Sequence, residues 1–455
     1  MIRKISIFSG ILLFVLLGST KILAYEELTL DESIKIALER SLSVRSADEE
    51  IKAKKFEHLS SKSGFYPKLS TSYTYTRLDH DTVNDAKYTT YPYNPLTDSH
   101  FAQPVSPLDI NKYQLNITLT QPLFTGWRLT ILRDLAAIGV DTAKIQKETA
   151  IQDLVLNVKG AYFGILKAEK LAKVAEQSVE LLEAQLSISK AFYDEGIIAK
   201  NDLLQTEVQM AQAQQDLIRA KNGVELAKSL FNKLLRRGLN QALEIKDILD
   251  YYPISLLLEQ CMEKAEQNRP EIKAVSLNVA SAEKNVALTK SSYYPSVMLI
   301  GNYQRETDDF LLDFGSGGDP DHWTITLQGE WIFWEWGKKR HDVAAAKANL
   351  TKVHYLLKEI KDNIQLEVKE AYLSLREAEK NIQVAKKAVM QAEENFRMNE
   401  ERYKQQVATS TDVLDALTLL TQARTNYFNA LSEHNVAWAR LERSMGVGND
   451  NGERE

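Results

Sequence analysis

The chain has 455 residues, a formal net charge of -6 and a pI near 5.8. That balance excludes the clustered Lys and Arg with which nucleic-acid binders neutralise phosphates. A single cysteine, Cys261, excludes an internal disulfide or a thiolate metal site, and it reads as a small buried apolar side chain.

Arg3 and Lys4, the apolar run Ile11 to Leu17 and then Ile22-Leu23-Ala24 read as a secretory signal peptide over residues 1–24, cleaved after Ala24. The run falls short of the roughly 20 residues that cross a bilayer as a helix. No cysteine stands directly after the cleavage site, so an N-terminal lipid anchor is not expected. No later stretch is long and apolar enough to span as a helix, so membrane insertion would have to use strands.

No Pro, Gly or Ser-rich linker divides the exported part; instead it is written twice. Ala37 through Tyr66-Pro67 matches Ala265 through Tyr294-Pro295, with Lys62-Ser63 against Lys290-Ser291. Further on, Ala161-Tyr162, Ala168-Glu169-Lys170 and Val174-Ala175 recur as Ala371-Tyr372, Ala378-Glu379-Lys380 and Val384-Ala385. The first repeat is placed at residues 25–238, the second at 255–446, with a polar tail at 447–455.

Each repeat holds two short alternating segments, expected as strands at about 69–77 and 113–123, then about 297–305 and 323–333. Tyr113, Leu115, Ile117 and Leu119 share one face against Gln114, Asn116, Thr118 and Thr120; Trp323, Ile325 and Leu327 alternate with Thr324, Thr326 and Gln328. Met298 and Ile300 interrupt the polar face of the third strand. The aromatics Tyr66, Phe124, Tyr294 and Phe333 suit interfacial girdles. Residues 78–112 and 306–321 read as surface loops. Four strands cannot close around an open lumen, so several chains must share one barrel.

After each strand pair the apolar positions step by four and three, as Leu154, Val158, Ala161, Ile165, Ala168 and as Ile364, Val368, Ala371, Leu375, Ala378. That heptad seam predicts coiled helix packing. No proline falls between Arg128 and Asp194, so that helix reaches roughly 100 Å. The helices break at Tyr193-Asp194-Glu195-Gly196 and at Tyr403-Lys404-Gln405-Gln406, and the returning helices open on Asp202 and Asp412, which the helix dipole favours. The fold class expected is mainly α with a membrane β-barrel: duplicated long helical hairpins plus four strands per chain.

Three elements carry a resemblance: Ala37 to Arg45 with Ala265 to Lys273, Gln121-Pro122-Leu123-Phe124-Thr125-Gly126, and Thr411-Asp412-Val413-Leu414-Asp415-Ala416. With the duplication, they make the chain resemble the outer-membrane efflux protein (TolC) family over nearly its whole mature length. The resemblance implies a homotrimer with a twelve-stranded barrel in the outer membrane and a helical tunnel in the periplasm. An equatorial connection would lie at residues 239–254. It implies a passive exit duct for efflux or type I secretion, small molecules being the expected cargo. The implied partners are a periplasmic adaptor (membrane fusion) protein, an inner-membrane transporter of the RND, ABC or MFS type, and outer-membrane lipids.

It also implies site residues. Asp412 and Asp415 match the positions that ring the periplasmic mouth, and their spacing of three puts both on one helical face. Read without the resemblance, Asp412 starts a helix and Asp415 is a solvated charge. Tyr403 matches a tyrosine that steadies the closed mouth against the neighbouring hairpin, where Asp202 stands; ordinary helix packing is the alternative. Gly196 and Gln406 mark the hairpin tips where an adaptor would contact the tunnel. Ala408 stands where the family's best-known member carries arginine, and Gln406 replaces the glycine of that turn.

Two rival classes are weighed. An enzyme would need a constellation that the seven histidines, without HExxH or paired metal spacing, do not supply. Gly329 to Lys338 also lacks the phosphate-loop spacing, and no cofactor is expected. An exported coiled-coil scaffold or adhesin without a pore would explain the heptads but not the four symmetric strands.

Overall fold

A computed structural model describes residues 27–79, 93–94, 99–100, 110–307, 310–312 and 321–448; the expected signal peptide lies outside the described residues. In chain order the elements are α1 (Leu30–Arg40), α2 (Leu42–Ser63), β1 (Lys68–Arg77), the two-residue strands β2 (Tyr93–Asn94) and β3 (Ser99–His100), β4 (Asn111–Phe124), α3 (Arg128–Asp194) and α4 (Lys200–Leu234). The second half follows as α5 (Leu258–Asn268), α6 (Pro270–Lys290), a 3-10 turn (Ser291–Tyr293), β5 (Ser296–Thr307), β6 (Asp321–Glu330), α7 (Lys338–Lys404) and α8 (Ser410–Ser444).

The duplication is metrical. α3 and α7 both have 67 residues, and α4 and α8 both have 35. Leu42 to Pro270 is a shift of 228 residues, whereas Arg128 to Lys338 is 210. The shift drops because the β1–β4 segment, residues 78–110, is longer than the β5–β6 segment, residues 308–320.

Both long helices start from the same turn. Gly126 and Trp127 have φ +59° and +65°, and Trp336 and Gly337 have φ +50° and +84°. Arg128 N–H and Lys338 N–H close these turns onto Thr125 O and Glu335 O at 3.1 and 2.9 Å. Two successive left-handed residues make a type I′ turn, and the glycine occupies opposite positions in the two copies. Gly126 has no room for a side chain, since a Cβ would lie 2.7 Å from Ser291 O.

The chain divides into two compact units. One comprises residues 27–40, 157–251 and 380–436, and holds the hairpin tips. Its core gathers Val179, Leu182, Met210, Phe396, Val413 and Leu417, and the seam positions Val158 and Ile165 of this unit are fully buried. The other comprises 41–156, 252–379 and the residues from 437 onward, and holds the sheet. Its core includes Cys261, fully buried as expected, with Ile272, Val368, Leu375, Trp438 and Leu441.

The main sheet is antiparallel in the order β1-β4-β5-β6. β1 and β4 pair Leu69 with Leu119 and Tyr73 with Leu115; β5 and β6 pair Leu299 with Leu327 and Tyr303 with Trp323. β6 stops at Glu330, three residues before the expected end, where the chain leaves the ladder for the turn into α7.

Candidate functional site

The register sorts the sheet into two faces, because side chains alternate with period two. One face carries Leu69, Tyr73, Leu115, Ile117, Leu299, Ile325 and their neighbours; Arg305 and Asp321 pair across it at 3.6 Å near the loop end. The other carries Ser70, Thr118, Asn302 and Thr324 in one cross-strand row. On that polar face Thr118 Oγ1 donates to Asn302 Oδ1 at 2.9 Å, and Lys112 Nζ meets Glu306 Oε1 at 2.7 Å. Met298 and Ile300 fall on it as expected, opposite Gln328 and Thr326.

β1 and β6 are the edges, and both are exposed almost throughout. Open edges with an exposed apolar face are unstable alone in lipid, where each backbone N–H and C=O needs a partner. The four strands alternate in direction, each antiparallel to its neighbour. Among the described residues no helix is long and apolar enough to cross a membrane.

The hairpin tips are duplicated turns. Ile197 N–H and Gly196 N–H reach Phe192 O and Tyr193 O at 2.8 and 2.9 Å; Val407 N–H and Gln406 N–H reach Arg402 O and Tyr403 O at 2.9 Å each. This bond pair is the Schellman end of a helix, with its left-handed residue at Gly196 (φ +70°) and Gln406 (φ +62°). Glutamine is strained there, so Gln406→Gly should raise stability by about 0.5 kcal/mol in denaturant titrations, the relief of strain slightly exceeding the added chain entropy.

The helices that leave the tips start differently. Thr409 N–H and its hydroxyl both donate to Asp412 Oδ2 at 2.8 Å, and Asp412 N–H returns to Thr409 Oγ1 at 3.2 Å. This is a reciprocal N-terminal cap, so Asp412 does start a helix. The bond from the Thr409 backbone, then that from its hydroxyl, hold the Asp412 carboxyl below the usual aspartate range. In α4 the equivalent cap position is Ala199, which offers no side-chain bond to the half-buried Asp202. Asp415 is exposed.

Tyr403 is 2% exposed, and its hydroxyl lies 3.1 Å from Ser189 Oγ, with the Phe192 ring 5.4 Å away. Within the chain its partner is therefore α3, not Asp202. Beside it Thr206 and Ser410 hydroxyls meet at 3.1 Å, and Thr411 Oγ1 donates to Gln205 Oε1 at 3.3 Å. The geometry brings Tyr403 and Ser410 into buried links between the two hairpins, and leaves Asp415 pointing to solvent.

Sequence reasoning missed two positioning tyrosines that the repeat itself displays. Tyr162, fully buried, donates to Lys246 O at 2.7 Å and lies 3.1 Å from Leu28 O. It thereby joins α3 to the Leu28–Ile245 bridge, and burial pushes its phenol well up. Its counterpart Tyr372 donates to Leu256 O at 3.3 Å, while Arg376 reaches Ile254 O and Leu256 O at 3.1 and 3.0 Å. In each half, the same position clamps a connecting segment to a long helix.

The outer membrane efflux protein family matches residues 33–229 and 261–447, one match on each structural repeat. The chain belongs to that family. The chain is 25% identical over 273 residues to "Protein CyaE" of Bordetella pertussis, a match covering 57% of this chain and 55% of that protein. It is 21% identical over 398 residues to the outer membrane protein TolC of Escherichia coli K12, covering 81% and 77%. Its fold matches the crystal structure of the outer membrane protein VceC of Vibrio cholerae with a TM-score of 0.75 at 16% identity, over 92% of this chain and 96% of that one. The sheet and paired hairpins thus share the fold of that outer membrane protein.

Proposed function

We propose that this outer-membrane efflux protein is a trimeric exit duct, three copies joining β1 to β6 in one barrel of twelve antiparallel strands. The observation that carries this reading is the four-stranded sheet, apolar on one face, polar on the other and open at both edges. An even strand count lets any number of copies close without a parallel seam. The polar face would line the lumen and the apolar face would meet lipid. Passage is passive, small molecules are the cargo assigned, and energy comes from an inner-membrane transporter engaged through a periplasmic adaptor at the tips around Gly196 and Gln406. The family's description as an efflux protein supports that cargo.

At the periplasmic mouth Asp415 acts as the cation-facing carboxylate, while Asp412 is held by Thr409 and steadies the start of α8. Tyr403 and Asp202 brace the mouth, Tyr403 through Ser189. Asp415→Asn should therefore weaken block of the pore by a multivalent cation, whereas Asp412→Asn should chiefly loosen the helix start. Equal loss of block in the two variants would overturn that division of labour.

The whole reading is tested by conductance of purified protein in planar bilayers, with trimers followed by heat-modified mobility in detergent. Small cation-selective openings are expected. Monomeric protein that never conducts would return the chain to the exported scaffold class.

A further inference from the structure

We propose that the helix-side rim of the sheet binds the phosphate headgroups of anionic phospholipids, an inference that rests on the outer-membrane reading. β1 and β5 begin, and β4 and β6 end, at this rim, as the pairings Lys68–Thr120, Val297–Phe124 and Ser296–Glu330 fix. The chain is acidic overall, yet Lys62, Lys68, Arg128, Lys290 and Arg340 all lie exposed here. None has an ion-pair partner among the described residues, whereas cations along the helices are commonly matched, as in Lys52–Glu49, Lys144–Asp141 and Arg397–Glu394.

Two of these cations, Arg128 and Arg340, also stand where they cost stability, whereas Lys62 and Lys290 close α2 and α6, where the helix dipole favours them. The first turn of α7 is Lys338-Lys339-Arg340 and α3 opens on Arg128, both against the helix dipole, while α1, α4, α5, α6 and α8 carry acids in their first turns. Lys338 is matched by Asp342 at 3.2 Å, and Lys339 is tucked onto Ile332 O.

Beside the cations lies an exposed aromatic run: Trp331, Phe333, Trp334 and Trp336 are 60%, 78%, 66% and 88% exposed. The corresponding link of the first repeat is lighter, with Leu123 and Trp127 at 55% and 54%. Trp rings settle at the boundary of hydrocarbon and headgroups, and cations on long stems next to them reach the phosphates. Apolar strand face, aromatic run and unpaired cations follow one another along the chain in the order of a bilayer leaflet. A net negative headgroup complements that charge; a zwitterionic one does so far less.

The test uses the tryptophans as reporters. Full-length protein is reconstituted in phosphatidylcholine bilayers doped with brominated phosphatidylglycerol or brominated phosphatidylcholine, and fluorescence quenching gives the relative affinity. The expected result is about a fivefold preference for the anionic lipid. It should fall to near parity in the combined Lys62→Gln, Arg128→Gln, Lys290→Gln and Arg340→Gln variant, and in the unaltered protein as salt rises from roughly 0.05 to 0.5 M. Equal quenching by both lipids in the unaltered protein, or a preference that survives salt, overturns the proposal. So does a variant that keeps its lipid preference but changes its ion selectivity, which would place the cations in the lumen. Quenching by neither lipid would overturn the outer-membrane reading itself.

Discussion

Arg269→Ala should destabilise the protein by about 3 kcal/mol, seen as a lower denaturation midpoint of the detergent-solubilised chain. Arg269 is 4% exposed and grips Glu367 with both terminal nitrogens, at 2.9 and 2.7 Å. Its Nε lies 2.9 Å from Glu271, and its Nη1 reaches Arg443 O and Ser444 O at the end of α8, at 3.4 and 3.3 Å. Glu271 continues to Arg443 at 2.7 Å, and Arg443 to Asp153 at 2.8 Å. Removing the guanidinium strands buried acceptors and carboxylates together. The figure sits at the low end of the range for broken buried pairs because the Glu367 side chain is half in water.

The same network sets a pH dependence. Burial raises the Glu271 carboxyl, but the Arg443 bond, its own backbone bond and the Arg269 charge outweigh that and hold it below the usual glutamate range. A depressed folded value means that the stabilisation is complete above the unfolded value and disappears as pH falls through the folded one. The gap between the parent and Arg269→Ala should therefore shrink in acid. A gap independent of pH would show that lost packing, not charge, is what the substitution removes.

Gly446→Ala should cost a further large amount, about 3 kcal/mol, at the other side of that corner. Gly446 has φ +71°, and a Cβ there would lie 2.8 Å from both Arg269 N and Asn268 C and 3.0 Å from Arg269 Cα. All three are backbone atoms, so no rotamer change relieves the clash. Gly196→Ala is the control: its φ is +70° with nothing within 4 Å of a Cβ, so it should cost only the left-handed penalty, about 1 kcal/mol. Equal losses in the two variants would mean that the α8 end moves aside freely.

Much of this could be read along the chain. The heptad seam, the repeat and the tip tyrosines are periodic or local, and α3 begins and ends where the proline-free run predicted. Thr409 and Asp412 also stand at capping-box spacing, so the role of Asp412 in starting α8 was visible as one of two readings. Other features had no local signal. Ser189 and Tyr403 are 214 residues apart, and the Arg269 network draws on positions from 153 to 443. The left-handed turns at Trp127 and Trp336 were hidden because tryptophan does not advertise positive φ as glycine does.

What the sequence by itself determined is thus the architecture: duplication, helical hairpins, and strands with one apolar face. Periodicity fixes these because burying an apolar stripe is a property of each segment alone. Only the tertiary structure decided which polar groups meet. Tyr403 found Ser189, Asp412 turned back onto Thr409 to cap α8, and Arg269 closed the α5–α6 corner onto the end of α8. Hydrogen bonds and ion pairs are short-ranged and directional, so their partners are chosen by where the packed helices deliver each side chain, not by spacing along the chain.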